Sequence, residues 1–82
     1  KVTCLKCIRP IYPPIALRRG AEGTPKVKVW INKKGEVFKT ELISTSGNES
    51  IDRSAEKAAI NSTFYPLEEE TSINIEYDLK IR

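Results

Sequence analysis

The clearest pattern in the chain is an alternation of apolar and polar residues close to its C-terminus. Apolar side chains occupy every second position there: Ile73, Ile75, Tyr77, Leu79 and Ile81. Such alternation is typical of a strand with one buried and one solvated face. We therefore predict a strand over residues 72 to 81.

A similar alternation occurs earlier, where apolar residues again take every second position: Val27, Val29 and Ile31. It predicts a strand over residues 25 to 32. The segment that follows ends in Gly35, which can adopt the positive φ of a hairpin turn, and strand-favouring residues continue over 37 to 45. These two strands are predicted to pair antiparallel.

Between the second and the last predicted strand, the apolar residues have the spacing of a helix. Apolar and small residues recur on one stripe: Ile51, Ala55, Ala58, Ala59 and Ser62. The stripe predicts a helix over residues 50 to 63, with Asn48 or Ser50 as its N-cap. A short helix is predicted from Pro14 to Arg19, because proline suits a first helical turn and Gly20 can end it.

These elements predict an α+β fold with two layers. Three strands with one apolar face need a cover, and the two helices can supply it. The connection before the last strand is long enough to cross the first strand, so the predicted antiparallel sheet has the order 2-1-3 with residues 27 to 31 in its centre. Residues 1 to 12 are predicted to be an extended, irregular arm, and residues 13 to 82 the folded domain.

The charge of the chain is unevenly distributed. Residues 1 to 40 hold ten Lys and Arg against two acids, whereas residues 41 to 82 hold four against nine. The lysines of the basic half fall at alternating strand positions or in a turn, where solvated lysines are ordinary. We therefore do not expect a nucleic-acid partner. Trp30 is better explained by packing against the stems of Lys28 or Lys39, or by cover from the arm, than as an exposed anchor.

Cys4 and Cys7 form a C-x-x-C motif whose chemistry has three interpretations: a redox pair, half of a metal site or a local disulfide. A closed zinc site needs four good ligands, and the chain has no His and no other Cys. No predicted strand precedes the motif and prolines follow it, unlike a catalytic thiol pair. A disulfide in an oxidising compartment is the favoured interpretation.

The sequence does not indicate an enzyme or a cofactor. It has no His, no glycine-rich phosphate loop and no paired carboxylates with an evident pocket. A thiol-disulfide oxidoreductase that uses Cys4 and Cys7 is the one enzymatic alternative.

Several short motifs, taken in order, resemble the TonB C-terminal domain family. They are Pro10-Ile11-Tyr12-Pro13-Pro14-Ile15-Ala16, Gly20-Ala21-Glu22-Gly23, Gly35-Glu36-Val37, Ser44-Thr45-Ser46-Gly47, Ile51-Asp52, Ala55 and Phe64-Tyr65-Pro66. Each is weak alone, and the ordered series is specific. The resemblance covers about residues 7 to 81. The C-x-x-C ahead of the proline motif is similar to one branch of the family.

The resemblance implies a periplasmic domain of a protein anchored in the inner membrane, with the anchor and a proline-rich spacer outside this chain. A proton-driven motor complex would act on the anchor. The domain would bind the TonB box, a short peptide of outer-membrane receptors for siderophores, cobalamin or other scarce nutrients. The receptor and the nutrient stay open, as does a homodimer formed by strand exchange.

Two groups of residues are the candidate binding site. One is an exposed sheet edge, which can add a peptide strand through its unpaired main-chain groups. The other is the proline motif, which in the family lies close to the bound peptide. The candidate residues are Pro10, Tyr12, Pro13, Ile73, Asn74, Ile75, Glu76, Tyr77 and Asp78. The alternative function is a TonB-like or TolA-like scaffold that binds other envelope proteins or peptidoglycan without energising transport.

Overall fold

Two helices and five strands make up the fold in the computed structural model, which describes residues 2 to 81. In chain order they are β1 (Cys4–Lys6), α1 (Pro14–Arg18), β2 (Lys26–Ile31), β3 (Val37–Ser44), α2 (Glu49–Asn61), β4 (Thr63–Phe64) and β5 (Thr71–Glu76). Across the described residues, neither helix combines the length and the apolar character that crossing a membrane requires.

The main sheet has three antiparallel strands in the order β3-β2-β5. Val27 in the central strand lies opposite Leu42 of β3 and Ile75 of β5. The predicted order, with the first long strand in the centre and the last at an edge, is confirmed. A chain that enters α2 after β3 has to cross β2 before it reaches the far edge of the sheet.

Helix α2 covers one face of this sheet. Its small residues allow close approach, and Ala55 and Ala59 are fully buried against the central strand. The main core contains Val27, Val29, Ile31, Ala55, Ala59 and Phe64. The other sheet face has no helix over it within residues 2 to 81. The predicted α+β architecture with two layers is therefore confirmed.

A second, smaller core lies beside the first and explains the position of α1. Ala16 of α1, Ile51 of α2 and Leu79 after β5 are buried together. Helix α1 packs on α2 and on the segment after β5, so it covers one end of the molecule, whereas α2 covers the sheet.

The N-terminal arm is more regular than predicted. Residues 4 to 6 form β1, which pairs antiparallel with β4, so the prediction of an irregular arm is wrong for these three residues. The partner strand is only Thr63–Phe64, directly after α2. Neither segment is long enough to show an alternation, and the pairing joins residues about sixty positions apart, so no local pattern could reveal it.

The loop between β3 and α2 is held by Asp52. The Asn48 side chain caps the helix by accepting a hydrogen bond from the Ile51 N–H. One turn later the Asp52 carboxylate accepts hydrogen bonds from the Thr45 hydroxyl and from the N–H and hydroxyl of Ser46. Burial raises the pKa of Asp52, but these hydrogen bonds lower it by more, so its pKa lies below the ordinary value.

Candidate functional site

Strand β5 forms an open edge of the main sheet. It pairs with β2 on one side, and the structure of residues 2 to 81 has no strand on the other. The antiparallel register runs without interruption from Lys26 opposite Glu76 to Ile31 opposite Thr71. A regular strand with one unpaired side can accept a further strand.

The hydrogen bonds after β5 establish which of its main-chain groups face outward. Gly23 and Leu79 exchange both main-chain hydrogen bonds, each 3.0 Å long, and the Tyr77 N–H donates to the Pro25 carbonyl at 3.0 Å. Inward bonding alternates along an antiparallel strand, so the odd-numbered residues of β5 bond to β2. The N–H and C=O groups that face the free side therefore belong to Ser72, Asn74, Glu76 and Asp78.

The side chains along this edge alternate as the sequence predicts. Ile73, Ile75 and Tyr77 are half-buried against the core, whereas Asn74, Glu76 and Asp78 are exposed. The predicted strand is too long, because β5 ends at Glu76. Opposite Tyr77 lies Pro25, which has no N–H and interrupts the ladder before it resumes at Leu79.

The opposite edge of the sheet is less regular. In β3 the register shifts twice, so that Phe38 and Ile43 are extra residues without a partner in β2. Such bulges twist a strand and disturb its outward hydrogen-bonding groups. Glu36, just before β3, also bridges to Thr63. Strand β5 is therefore the edge better suited to add a peptide.

The arm after β1 lies along α2 and is held there by two serine hydroxyls. The Ile8 N–H donates to the Ser62 hydroxyl oxygen at 3.1 Å, and the Ser54 hydroxyl donates to the Ile11 carbonyl. Sequence reasoning placed Ser62 on the buried stripe of the helix but missed both serines as anchors. A hydroxyl facing an extended strand of chain leaves no periodic signal in the sequence.

Tyr12 connects the arm to the loop before β2. Its hydroxyl donates a hydrogen bond to the Ala21 carbonyl, and its ring packs on the small core that contains Ala16 and Leu79. Burial, followed by the nearby charge of Glu22, raises the pKa of Tyr12. Tyr12 therefore has a structural role, and its half-buried ring still reaches the surface beside β5.

An open cleft of about 540 Å³ lies between the arm and the end of β5. Both predicted groups contribute to its lining, with Pro10 and Tyr12 from the arm and Glu76, Tyr77 and Asp78 from the edge. Arg9, Leu79 and Lys80 also line it and were not predicted. The structure thus brings Pro10 and Tyr12 together with the end of the edge strand. Pro13, the N-cap residue of α1, is not in this lining. Residues 73 to 75 lie farther along the edge.

Cys4 and Cys7 are joined by a disulfide, with their Cα atoms 6.0 Å apart. Both cysteines are exposed; Cys4 begins β1, and Cys7 directly follows its last residue. Among residues 2 to 81, no group of His, Cys, Asp and Glu side chains could hold a metal ion. The motif is therefore a local cross-link in this structure.

Trp30 lies on the open face of the sheet between two lysines. The ammonium nitrogens of Lys28 and Lys39 lie 5.0 Å and 4.5 Å from the centroid of its ring. Lys39 is directly across the strand pair from Trp30. The two predicted lysines thus lie beside the ring, within the distance of a cation–π interaction.

Comparison with known proteins is consistent with this geometry. Residues 8 to 82 match the family model described as the Gram-negative bacterial TonB protein C-terminal. The chain is similar to Protein TonB of Vibrio cholerae, with 41% identity over 59 residues, which cover 72% of this chain and 24% of that protein. It is also similar to Protein tonB2 of Pseudomonas aeruginosa, with 37% identity over 57 residues, which cover 70% of this chain and 21% of that protein.

A solved structure has the same fold. The solution NMR structure of Pseudomonas aeruginosa TonB CTD superposes with a TM-score of 0.81 at 23% sequence identity, covering 99% of this chain and 87% of that one. By contrast, the chain spans only about a quarter of the length of the curated relatives it matches.

Proposed function

This chain belongs to the family of Gram-negative TonB protein C-terminal domains, and from that premise we propose that it binds the TonB box of outer-membrane receptors by strand addition to β5. TonB proteins are transport proteins and not enzymes. In the proposal, the chain is the periplasmic part of an energy transducer that is anchored in the inner membrane. It passes force derived from the proton gradient to the receptor plug.

The observation that carries the proposal is the open edge of β5 next to the arm. The N–H and C=O groups of Ser72, Asn74 and Glu76 face solvent in regular register. At the end of this edge, Pro10 and Tyr12 form the other side of a cleft. A peptide that pairs with β5 enters this cleft. It forms a ladder of main-chain hydrogen bonds with β5 and contacts Pro10 and Tyr12 of the arm.

Main-chain pairing suits a module that works under tension. Each hydrogen bond contributes about 0.5 to 1.5 kcal/mol net, which is modest. Several bonds loaded together in shear along one strand resist pulling better than an apolar patch of similar affinity. The bonds also re-form with a new peptide, since the edge itself stays intact after release.

Side chains along the edge supply selectivity in this proposal. The peptide side chains on one face lie beside Ile73 and Ile75, which are half-buried and favour aliphatic neighbours. Those on the other face lie beside Asn74 and Glu76, which are exposed and favour polar or basic neighbours. Arg9, which lines the cleft, would pair with an acidic group of the peptide in this proposal.

We propose partners for the whole protein from what the family resemblance implies. They are receptors for siderophores, cobalamin or similar nutrients on the outer side, and a proton-driven motor complex that acts through an N-terminal anchor on the inner side. We propose both for the parent protein, since this chain matches the part of its relatives that would face the receptors.

The test is a titration of the ¹⁵N-labelled domain with receptor plug peptides, followed by NMR. We expect the largest shifts at the outward N–H groups of residues 72, 74, 76 and 78 and at the N–H groups of residues 9, 11 and 12. A scrambled peptide of the same composition is the control. Shifts confined to another surface would contradict strand addition to β5. Binding of peptidoglycan fragments without any response to plug peptides would favour the scaffold function.

A further inference from the structure

We propose that the disulfide between Cys4 and Cys7 is a reversible redox site, at which a dithiol protein of the thioredoxin type releases the arm from α2. The proposal rests on the proposed peptide site in one respect: the reduced protein should bind the plug peptide more weakly. It gives a role to the C-x-x-C motif, which strand addition leaves unused.

The cross-link is accessible to another protein. Cys4 and Cys7 are both exposed, and Leu5 between them is 54% exposed. Strand β1 pairs only with β4 among the described residues, so its outer side is open to solvent. Exposed disulfides are the ones that thiols attack readily, whereas buried structural ones resist.

The disulfide lies between two attachments of the N-terminal segment. On its N-terminal side the Tyr65 N–H donates to the Thr3 carbonyl at 3.0 Å. On its C-terminal side the Ile8 N–H donates to the Ser62 hydroxyl at 3.1 Å. Both attachments lead to the same short stretch directly after α2, at Ser62 and Tyr65. The cross-link limits the conformations of residues 4 to 7 between them and so favours both attachments at once.

The second attachment leads directly to the cleft. Ser62 is only 2% exposed, its hydroxyl donates to the Ala58 carbonyl at 2.9 Å, and it lies next to Tyr77 at the end of the edge strand. Arg9 and Pro10, the residues after Ile8, line the cleft. The position of one wall of the cleft therefore depends on how firmly Ile8 is held.

Beyond Ile8, the arm is held by the Ser54 hydroxyl on the Ile11 carbonyl and by the Tyr12 hydroxyl on the Ala21 carbonyl. Between these hydrogen bonds, an open pocket of about 100 Å³ lies between the arm and α2, lined by residues that include Ile8, Pro10, Ile11 and Ala58. Loosely packed side chains contribute little dispersion energy. Such a segment responds to the loss of one covalent constraint, whereas the sheet and α2 have their own buried core and do not depend on it.

The reaction is an ordinary thiol-disulfide exchange. A thiolate of the dithiol protein attacks one sulfur of the Cys4–Cys7 bond and forms a mixed disulfide, and the other cysteine leaves as a thiolate that takes up a proton. The second thiol of the partner then attacks the mixed disulfide. Cys4 and Cys7 end as two thiols and the partner ends as a disulfide, so two electrons and two protons have moved.

The experiment compares amide hydrogen exchange of the oxidised and the reduced domain. We expect the Ile8 amide to lose protection by up to about 20-fold on reduction, the upper value that loop entropy gives for a four-residue loop. Amides of β2 should not change. The Cys4→Ser/Cys7→Ser double variant should behave like the reduced protein. Ser62→Ala with the disulfide intact should expose the same Ile8 amide, because it removes the acceptor.

The outcomes separate this proposal from the peptide site. Unchanged exchange at Ile8 on reduction would overturn it, and so would unfolding of the whole domain. Failure of a thioredoxin-type protein to reduce the bond, under conditions where it reduces insulin, would overturn it as well. Reduction that loosens Ile8 and weakens plug-peptide binding several-fold supports the full proposal. If peptides bind neither form, the peptide site is wrong while the exchange result still decides the redox site.

Discussion

The turn between β2 and β3 packs directly against the chain that follows α2: a Cβ atom at Gly35 would lie 1.9 Å from the carbonyl oxygen of Phe64. The Phe64 N–H donates to the Gly35 carbonyl at 2.8 Å, so the two backbones touch. Gly35 also has φ +87, a conformation that other residues rarely adopt. The hairpin, β4 and β1 are joined through this contact.

Gly35→Ala should therefore destabilise the domain by about 2 to 4 kcal/mol, from strain and overlap together. Gly47→Ala is the matched control, because Gly47 has φ +89 but open space around its Cβ position. It should cost only about 1 kcal/mol. Urea denaturation of both variants checks this. If both variants lost the same free energy of unfolding, the backbone contact at Phe64 would not contribute to stability.

Asp52 should make stability dependent on pH. Its pKa is depressed in the folded state, so its contribution is present above the unfolded value, about 3.9, and is lost as pH falls through the folded pKa. Asp52→Asn should cost about 1 to 2 kcal/mol at pH 7, and the difference from the parent should shrink in acid. Denaturation from pH 7 to pH 2 measures it.

Glu49→Gln provides the control for that series. Glu49 is exposed on the same helix, where its ion pair with Arg53 contributes little. A pH profile for Glu49→Gln like that of Asp52→Asn would contradict the special role of Asp52.

Trp30 offers an internal probe of the open sheet face, since the chain has a single Trp. Removing both lysine stems in Lys28→Ala/Lys39→Ala should expose the ring and shift its fluorescence emission to longer wavelength. Loss of the two cation–π contacts should cost about 1 to 2 kcal/mol at most. Lys33→Ala/Lys34→Ala, in the turn, serves as the charge-matched control. An unshifted emission maximum would mean that the lysines do not cover the ring.

Tyr12→Phe should separate the structural role of this residue from binding. The change deletes the hydrogen bond to the Ala21 carbonyl and should lower stability by about 1 kcal/mol. Plug-peptide affinity should stay within about threefold of the parent, because the ring that lines the cleft remains. Loss of affinity well beyond the loss of stability would instead assign the hydroxyl to the peptide.

The sequence predicts the parts of this fold that repeat with a period. The alternation around Val29 and Ile75 identifies two strands, and the stripe through Ala55 identifies the helix that covers them. The end of β5 could not be predicted, because it depends on Pro25 lying opposite Tyr77. Strand β1 could not be predicted either, because it forms by pairing with β4, which is distant in the sequence.

The candidate site also has a part that the sequence predicts and a part that it does not. The edge residues Asn74 and Glu76 follow from the strand pattern, and the proline motif from the family resemblance. Pro10 and Glu76 line the same cleft because the arm is held by the hydroxyls of Ser54 on α2 and of Ser62 directly after it. These anchors have no pattern of their own in the sequence.

The most direct test of the account is the affinity of a plug peptide for Asn74→Pro compared with Asn74→Ala, measured by calorimetry on variants whose unfolding curves show that both are folded. The Asn74 N–H faces away from β2, so proline removes an outward donor and leaves the inner ladder intact. Alanine removes only the side chain. We predict at least tenfold weaker binding for Asn74→Pro, from a lost hydrogen bond and a ring in the path of the peptide, and a change of less than about threefold for Asn74→Ala. Parent-like affinity of Asn74→Pro, together with loss of binding in Pro10 or Tyr12 variants, would contradict strand addition and place the peptide on the arm.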